Sequence, residues 1–121
     1  MADALTMLKD RRVGALVVTD AGAALVGIFS ERDAVRALAT MGAKALDVTV
    51  AELMTSDVTV CDETTTVTYL MGLMTERRIR HVPVVHDGNL VGLVSIGDVV
   101  KARFDELETD KKDLLDYVSA R

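Results

Sequence analysis

The chain is written twice. Leu25-Val26-Gly27-Ile28-Phe29-Ser30-Glu31-Arg32-Asp33-Ala34-Val35 returns as Leu90-Val91-Gly92-Leu93-Val94-Ser95-Ile96-Gly97-Asp98-Val99-Val100, with Gly27 and Gly92, and Asp33 and Asp98, each 65 residues apart. Upstream, Arg11-Arg12-Val13 returns as Arg77-Arg78-Ile79 and Gly22 as Gly88, now 66 apart. The one-residue difference falls in the turn after Gly22, where a loop absorbs it most easily. A sequence of this kind folds as two copies of one small unit, each burying an apolar face that it cannot cover alone.

Each copy reads as helix, strand, turn, strand, helix. In the second, Val67, Leu70, Met71 and Met74 recur at three- and four-residue spacing, the pattern of an amphipathic helix. Val82-Pro83-Val84-Val85 follows, then the turn His86-Asp87-Gly88-Asn89, then Leu90-Val91-Gly92-Leu93-Val94. Short apolar runs around a glycine turn predict strands buried on both faces. Pro83 places its strand at an edge or makes it a strand start, because proline donates no ladder hydrogen bond. A helix is expected to open at Ser95. The first copy repeats the order with Ala4, Leu5 and Leu8, then Val13 to Thr19, then Leu25 to Phe29, and a helix from Ser30. Between the copies, Val58 to Cys61 is expected to form a short strand leading into the second, with no counterpart ahead of the first. The tail spaces Val100, Phe104, Leu107, Leu114 and Val118 on alternating four- and three-residue steps, with Lys111 in the one polar slot. A helix packed on its own module is the preferred reading; an interhelical seam is the alternative.

With 121 residues the chain is one compact unit rather than two independent domains. Without tryptophan, and with two Phe and two Tyr, its core must be built from Val, Leu, Ile, Ala and Met. A net charge of −5 argues against a general nucleic-acid binder, whose affinity rests on cations neutralising phosphates. The single cysteine, Cys61, rules out an intramolecular disulfide and a multi-cysteine metal site. The first nine residues lack a secretory-type apolar stretch, and no apolar run reaches bilayer length. A cytoplasmic protein without a membrane segment is expected.

Two helix–strand–turn–strand–helix copies, each with glycine, two apolar residues, serine, two variable residues and aspartate, resemble paired cystathionine-β-synthase (CBS) domains, the arrangement called a Bateman module. Leu53-Met54-Thr55-Ser56-Asp57-Val58-Thr59-Val60 and Arg80-His81-Val82-Pro83-Val84-Val85 carry the same likeness. The resemblance implies an α/β (α+β) fold of two βαββα-type repeats about a pseudo-twofold axis, the first repeat lacking its N-terminal strand. Residues 1–121 then form one module, with repeat 1 at 2–46, repeat 2 at 50–106 and a helical extension at 107–121. It also implies two clefts between the repeats that take AMP, ADP, ATP, S-adenosylmethionine or NAD-type ligands such as NADH, no required cofactor, and no catalysis of its own. Such modules regulate an attached or partner protein and commonly pair as homodimers through their helices.

The likeness carries over residue by residue. One cleft would join Ser30, Arg32 and Asp33 to Thr59, Ile79, Arg80 and His81. The other would join Ser95 and Asp98 to Val13, Gly14 and Ala15. Asp33 or Asp98 would accept from ribose hydroxyls; Arg80, with Arg32 or His81, would bind phosphate; Ile79 and Val82 would wall the base. The second cleft has Gly14 and Ala15 where the first has Arg80 and His81, and no first strand, so weaker binding or none is expected there. Ser-x-x-Asp is equally a capping box, which needs no ligand, and both roles can coexist. Arg77 and Arg78 are read first as complements of a helix C-terminus, His86 as a solvated turn residue, Cys61 as inert, and Met54, Met71 and Met74 as core or interface filler. No catalytic triad, zinc motif or phosphate-binding loop appears in the sequence. A ligand-sensing module is the main expectation, and an oligomerisation scaffold with empty clefts is the alternative.

Overall fold

The computed structural model describes the backbone of residues 1–119 and the side chains of residues 1–108. Its first half runs α1 (Ala2–Arg11), β1 (Ala15–Thr19), β2 (Leu25–Ser30) and α2 (Glu31–Met41). A 3-10 turn (Gly42–Asp47) and the four-residue α3 (Val50–Leu53) lead across. The second half repeats the order as α4 (Val67–Arg77), β3 (His81–His86), β4 (Asn89–Ser95) and α5 (Ile96–Ser119).

The duplication extends to backbone detail. β1 pairs antiparallel with β2, and β3 with β4, each as a two-stranded sheet. The register slips at Val18/Thr19 in one and at the equivalent Val84/Val85 in the other. Both leading helices end on an arginine in the left-handed region, Arg12 at φ 53° and Arg78 at φ 55°. The next amide closes each end: Val13 N–H donates to Leu8 O at 3.2 Å, and Ile79 N–H to Met74 O at 3.1 Å. These bonds satisfy carbonyls that would otherwise be orphaned at the helix end.

The turns are where the copies part. Asp87 and Gly88 both have positive φ, 51° and 82°, which a two-residue hairpin turn of the primed type requires. The first copy turns through Asp20 to Ala24, and there the Asp20 carboxylate accepts from the N–H groups of Gly22 (2.8 Å) and Ala24 (3.0 Å). That loop holds the extra residue inferred from the offsets.

Two hydrophobic clusters form, one per half. Phe29, Leu8, Ala34, Ala37 and Ala45 make the first, with Val50, Leu53 and Met54 packed against it. Val82, Met74, Leu70, Val99 and Cys61 make the second. Burial raises the Cys61 thiol pKa, and neighbouring Asp62 adds to the effect, so thiolate chemistry is disfavoured as expected.

Several expectations need correction. Val58 to Cys61 is not a strand: only Cys61 pairs, through Cys61 N–H to Pro83 O (3.0 Å) and Val85 N–H to Cys61 O (2.9 Å). A single parallel bridge suffices because the bulge at Val84/Val85 ends the regular edge there. The Pro83 carbonyl points to this edge and away from β4, so its missing N–H costs the hairpin nothing. The strands are not buried on both faces either, since Val26 and Val91 are exposed. Each two-stranded sheet is covered by helices of its own half on one side only, so an apolar run here does not mean two buried faces. Met71 lies on the exposed side of α4. In the tail, Val100, Phe104 and Leu107 are 58%, 60% and 50% exposed, so this stretch of α5 does not pack on its module. The side chains of Lys111, Leu114 and Val118 lie outside the described residues.

Candidate functional site

A helix start that follows directly from a strand fixes the acidic residues of both repeats. Ser30 caps α2, with its hydroxyl accepting from Asp33 N–H at 3.3 Å, while Asp33 Oδ2 accepts from Ser30 N–H at 2.9 Å. Ser95 and Asp98 repeat the exchange at 3.1 and 2.9 Å. The capping box is therefore real in both halves. The Ser95 N–H holds the Asp98 carboxyl below the usual carboxylate range, helped by the Ser95 hydroxyl. In Asp33 the second oxygen stays outside the cap: Oδ1 accepts only the Thr55 hydroxyl, at 3.3 Å. A carboxylate oxygen with one weak donor is ready to accept more.

Between the halves lies a cavity of about 690 Å³, inside the span typical of small-molecule sites. Ser30, Arg32, Asp33, Thr59, Ile79, Arg80 and His81 all line it. Asp33 from one repeat and Arg80 from the other thus line the same cavity. Val82 does not line it, being wholly buried in the second cluster. It points to the core face of β3, the face opposite to that of its neighbour His81.

The other predicted set lies mostly outside this cavity. Gly14 lines this same cavity, whereas Val13, Ala15, Ser95 and Asp98 do not. Ala15 is buried and Val13 is exposed. Gly14 meets the other repeat across the cavity: a methyl at its Cα would lie 3.1 Å from His81 Cε1. Burial draws the His81 imidazole below the usual histidine range and Arg80 acts in the same direction, while Glu31 and Asp98 oppose them. His86, at the far turn, is exposed yet not free: Asp87 lies 3.4 Å and Glu63 3.7 Å from its ring nitrogens.

Sequence reasoning missed part of the wall. Arg36, Arg77 and Arg78 also line the cavity, as do Asp57 and Thr55. Arg36 follows Arg32 by one helical turn, and that i, i+4 spacing was the available signal. Arg77 and Arg78 do end a helix as expected, but that end opens on the cavity. Arg77 donates to Thr59 Oγ1 at 3.4 Å, and Arg32 donates to Arg78 O at 3.1 Å, a bond between the two halves. Chemically, the cavity offers three carboxylates, the hydroxyls of Ser30, Thr55 and Thr59, five guanidinium groups, and Ile28, Val58, Ile79 and Ile96 as apolar lining.

The family model for the CBS domain matches residues 1–40 and 50–105. A mitochondrial CBS domain-containing protein of Arabidopsis thaliana, CBSX3, is 40% identical over 96% of this chain. The chain spans 58% of that relative's length and 63% of another's, from Acidianus ambivalens. Among solved structures, a CBS-domain containing protein from Agrobacterium tumefaciens superposes with a TM-score of 0.82 at 48% identity, over 85% of this chain and 77% of that one. The CBS domain pair of protein MJ0100, in complex with 5′-methylthioadenosine and S-adenosyl-L-methionine, gives 0.77 at 28% identity over 86% and 81%. CBSX2 in complex with AMP gives 0.73 at 31% identity over 85% and 80%.

Proposed function

Since the chain belongs to the CBS-domain family and carries the family pattern twice, we propose that it is a non-catalytic regulatory module. It binds an adenine nucleotide of the AMP, ATP or NAD type between its repeats and signals energy or redox state to another protein. The observation that carries this reading is the shared cavity, which Asp33 of one repeat and Arg80 of the other both line. In it, Asp33 Oδ1 accepts from ribose hydroxyls, as acids do in dinucleotide folds. Arg80 and Arg32 bind phosphate through charge-assisted hydrogen bonds. Ile79 and Ile28 flank the base. Solved relatives that hold AMP, methylthioadenosine or S-adenosylmethionine support an adenosine-sized occupant.

The mechanism is differential binding. The ligand touches both halves, so it favours the arrangement in which they grip it, and a partner reads that arrangement. A homodimer through the repeat helices supplies the natural lever. Val35 and Val100 occupy equivalent places on α2 and α5 and are both exposed, as are Tyr69 and Phe104. Apolar surface of this kind, repeated in both halves, suits a symmetric pair.

Thermal unfolding with AMP, ATP, NADH and S-adenosylmethionine tests the proposal. A ligand that binds only the folded state adds about 2.7 kcal/mol at a hundred times its dissociation constant. A concentration-dependent rise in melting temperature with at least one nucleotide is expected. A flat response to the whole panel would favour a scaffold with unoccupied clefts.

A further inference from the structure

We infer, on top of the nucleotide reading, that the site selects adenine nucleotides carrying two or more phosphoryl groups over AMP and over S-adenosylmethionine. Arg36 and Arg77 form the outer part of the anion-binding wall.

The observation is a charge imbalance. Five arginines line the cavity, against three carboxylates, Glu31, Asp33 and Asp57. The chain as a whole has net charge −5, so this wall runs opposite to the molecule. Among the described residues, none of the five arginines lies within ion-pair distance of a carboxylate; the four pairs that form are elsewhere. Two of the five hold only neutral acceptors, Arg32 on the Arg78 carbonyl and Arg77 on the Thr59 hydroxyl. Guanidinium groups gathered without counter-charges repel one another, and a polyanion relieves that strain while gaining charge-assisted bonds.

The count exceeds what one phosphate needs. Arg32 adjoins Asp33 on α2 and Arg80 lines the same cavity, and we assign these two to a nucleotide's first phosphate. Arg36 lies a helical turn further along α2, and Arg77 ends α4. Neither belongs to the duplicated serine–aspartate element, and both are open to solvent, as the other three arginines are. They are placed for phosphates beyond the first. S-adenosylmethionine, with one carboxylate against a sulfonium and an ammonium, gains less from such a wall than a polyphosphate does.

The test is titration calorimetry at fixed salt with AMP, ADP, ATP, NADH, S-adenosylmethionine, 5′-methylthioadenosine and inorganic tripolyphosphate. ATP and ADP are expected to bind at least about tenfold tighter than AMP, as one or two extra partly screened charge-assisted bonds would give. The double variant Arg36→Ala, Arg77→Ala is expected to bring the ratio of ATP to AMP affinity to about one, and its melting temperature without ligand reads separately what the Arg77 helix-end contact contributes to stability. Equal affinity for AMP and ATP, or a ratio that survives the double variant, overturns this inference and leaves the nucleotide reading standing. Failure of every adenosine compound to bind overturns both, and binding of tripolyphosphate alone identifies a polyanion site without base recognition, which also overturns it. Tighter binding of S-adenosylmethionine than of ATP contradicts the charge argument directly.

Discussion

Leu16 and Phe29 face each other across β1 and β2, and their counterparts Val82 and Val94 face each other across β3 and β4. In the first half the fully buried member is Phe29, on the second strand; in the second half it is Val82, on the first. Two copies of one unit have solved the same packing problem with opposite partners. The difference continues at the cavity, where Ser30–Asp33 forms part of the wall and Ser95–Asp98 does not. Duplication fixes the backbone; the side chains added to it decide which serine–aspartate pair lines the cavity.

The largest test of that contrast is in the cores. Phe29→Ala should cost about 3–5 kcal/mol in urea unfolding, the usual range for a buried aromatic residue cut to alanine. Val94→Ala, at the equivalent but half-buried site, should cost about 1–2 kcal/mol. Equal losses would mean that the halves share their stability evenly despite the swap.

The glycines sharpen it further. A methyl added at Gly27 would run into the Met54 side chain, reaching Cγ at 2.9 Å, whereas one added at Gly92 meets nothing within 4 Å. Gly27→Ala should destabilise by about 1–3 kcal/mol through overpacking. Gly92→Ala should change stability by less than about 0.5 kcal/mol. Denaturation midpoints with an unchanged slope would check both.

The two capping boxes separate structure from binding. Asp33→Ala and Asp98→Ala should each lose about 1 kcal/mol of stability, because each removes the same cap. Only Asp33→Ala should weaken nucleotide binding, by about tenfold, since of the two aspartates only Asp33 lines the cavity. Calorimetry showing the same loss of affinity in both variants would assign ligand binding to both ends of the pseudo-symmetric pair.

The smallest effect is with pH. His81 has Ala15 as its counterpart, so only one half carries a titrating group at this place. Its folded-state pKa lies below the ordinary value of 6.5, from burial first and Arg80 second. The native state therefore binds its proton less readily than the unfolded chain. The resulting stability is complete above the unfolded value and is lost as pH falls from there through the folded one. His81→Gln should flatten that part of the stability profile. An unchanged slope in the variant would trace it to other groups.

The repeat, the order of elements and both capping boxes were legible because each is written in local sequence: a glycine turn, an apolar run, Ser-x-x-Asp. Six of the seven residues of the first predicted set line one cavity for the same reason, since the duplicated elements position them, and Thr59 reaches it from the connector. What local pattern could not carry was convergence. Arg77 reads as the end of a helix until the fold turns that end toward α2, and Thr55 meets Asp33 across 22 residues of chain. Apolar runs also left the exposure of Val26 and Val91 open, because a run records the side chains and not how many layers will cover them. Val82 was assigned to the ligand wall when strand alternation alone could have put it opposite His81.

Met54 packs on the first hydrophobic cluster and Cys61 belongs to the second. The stretch between them is the covalent bridge from one half to the other, and it supplies Thr55, Asp57, Val58 and Thr59 to the cavity. Connector and container are one piece of chain. On the proposed reading, an occupant that tightens the mouth of the chamber would also restrain the angle between the halves, coupling mechanical signal and molecular cargo at that segment without a separate relay.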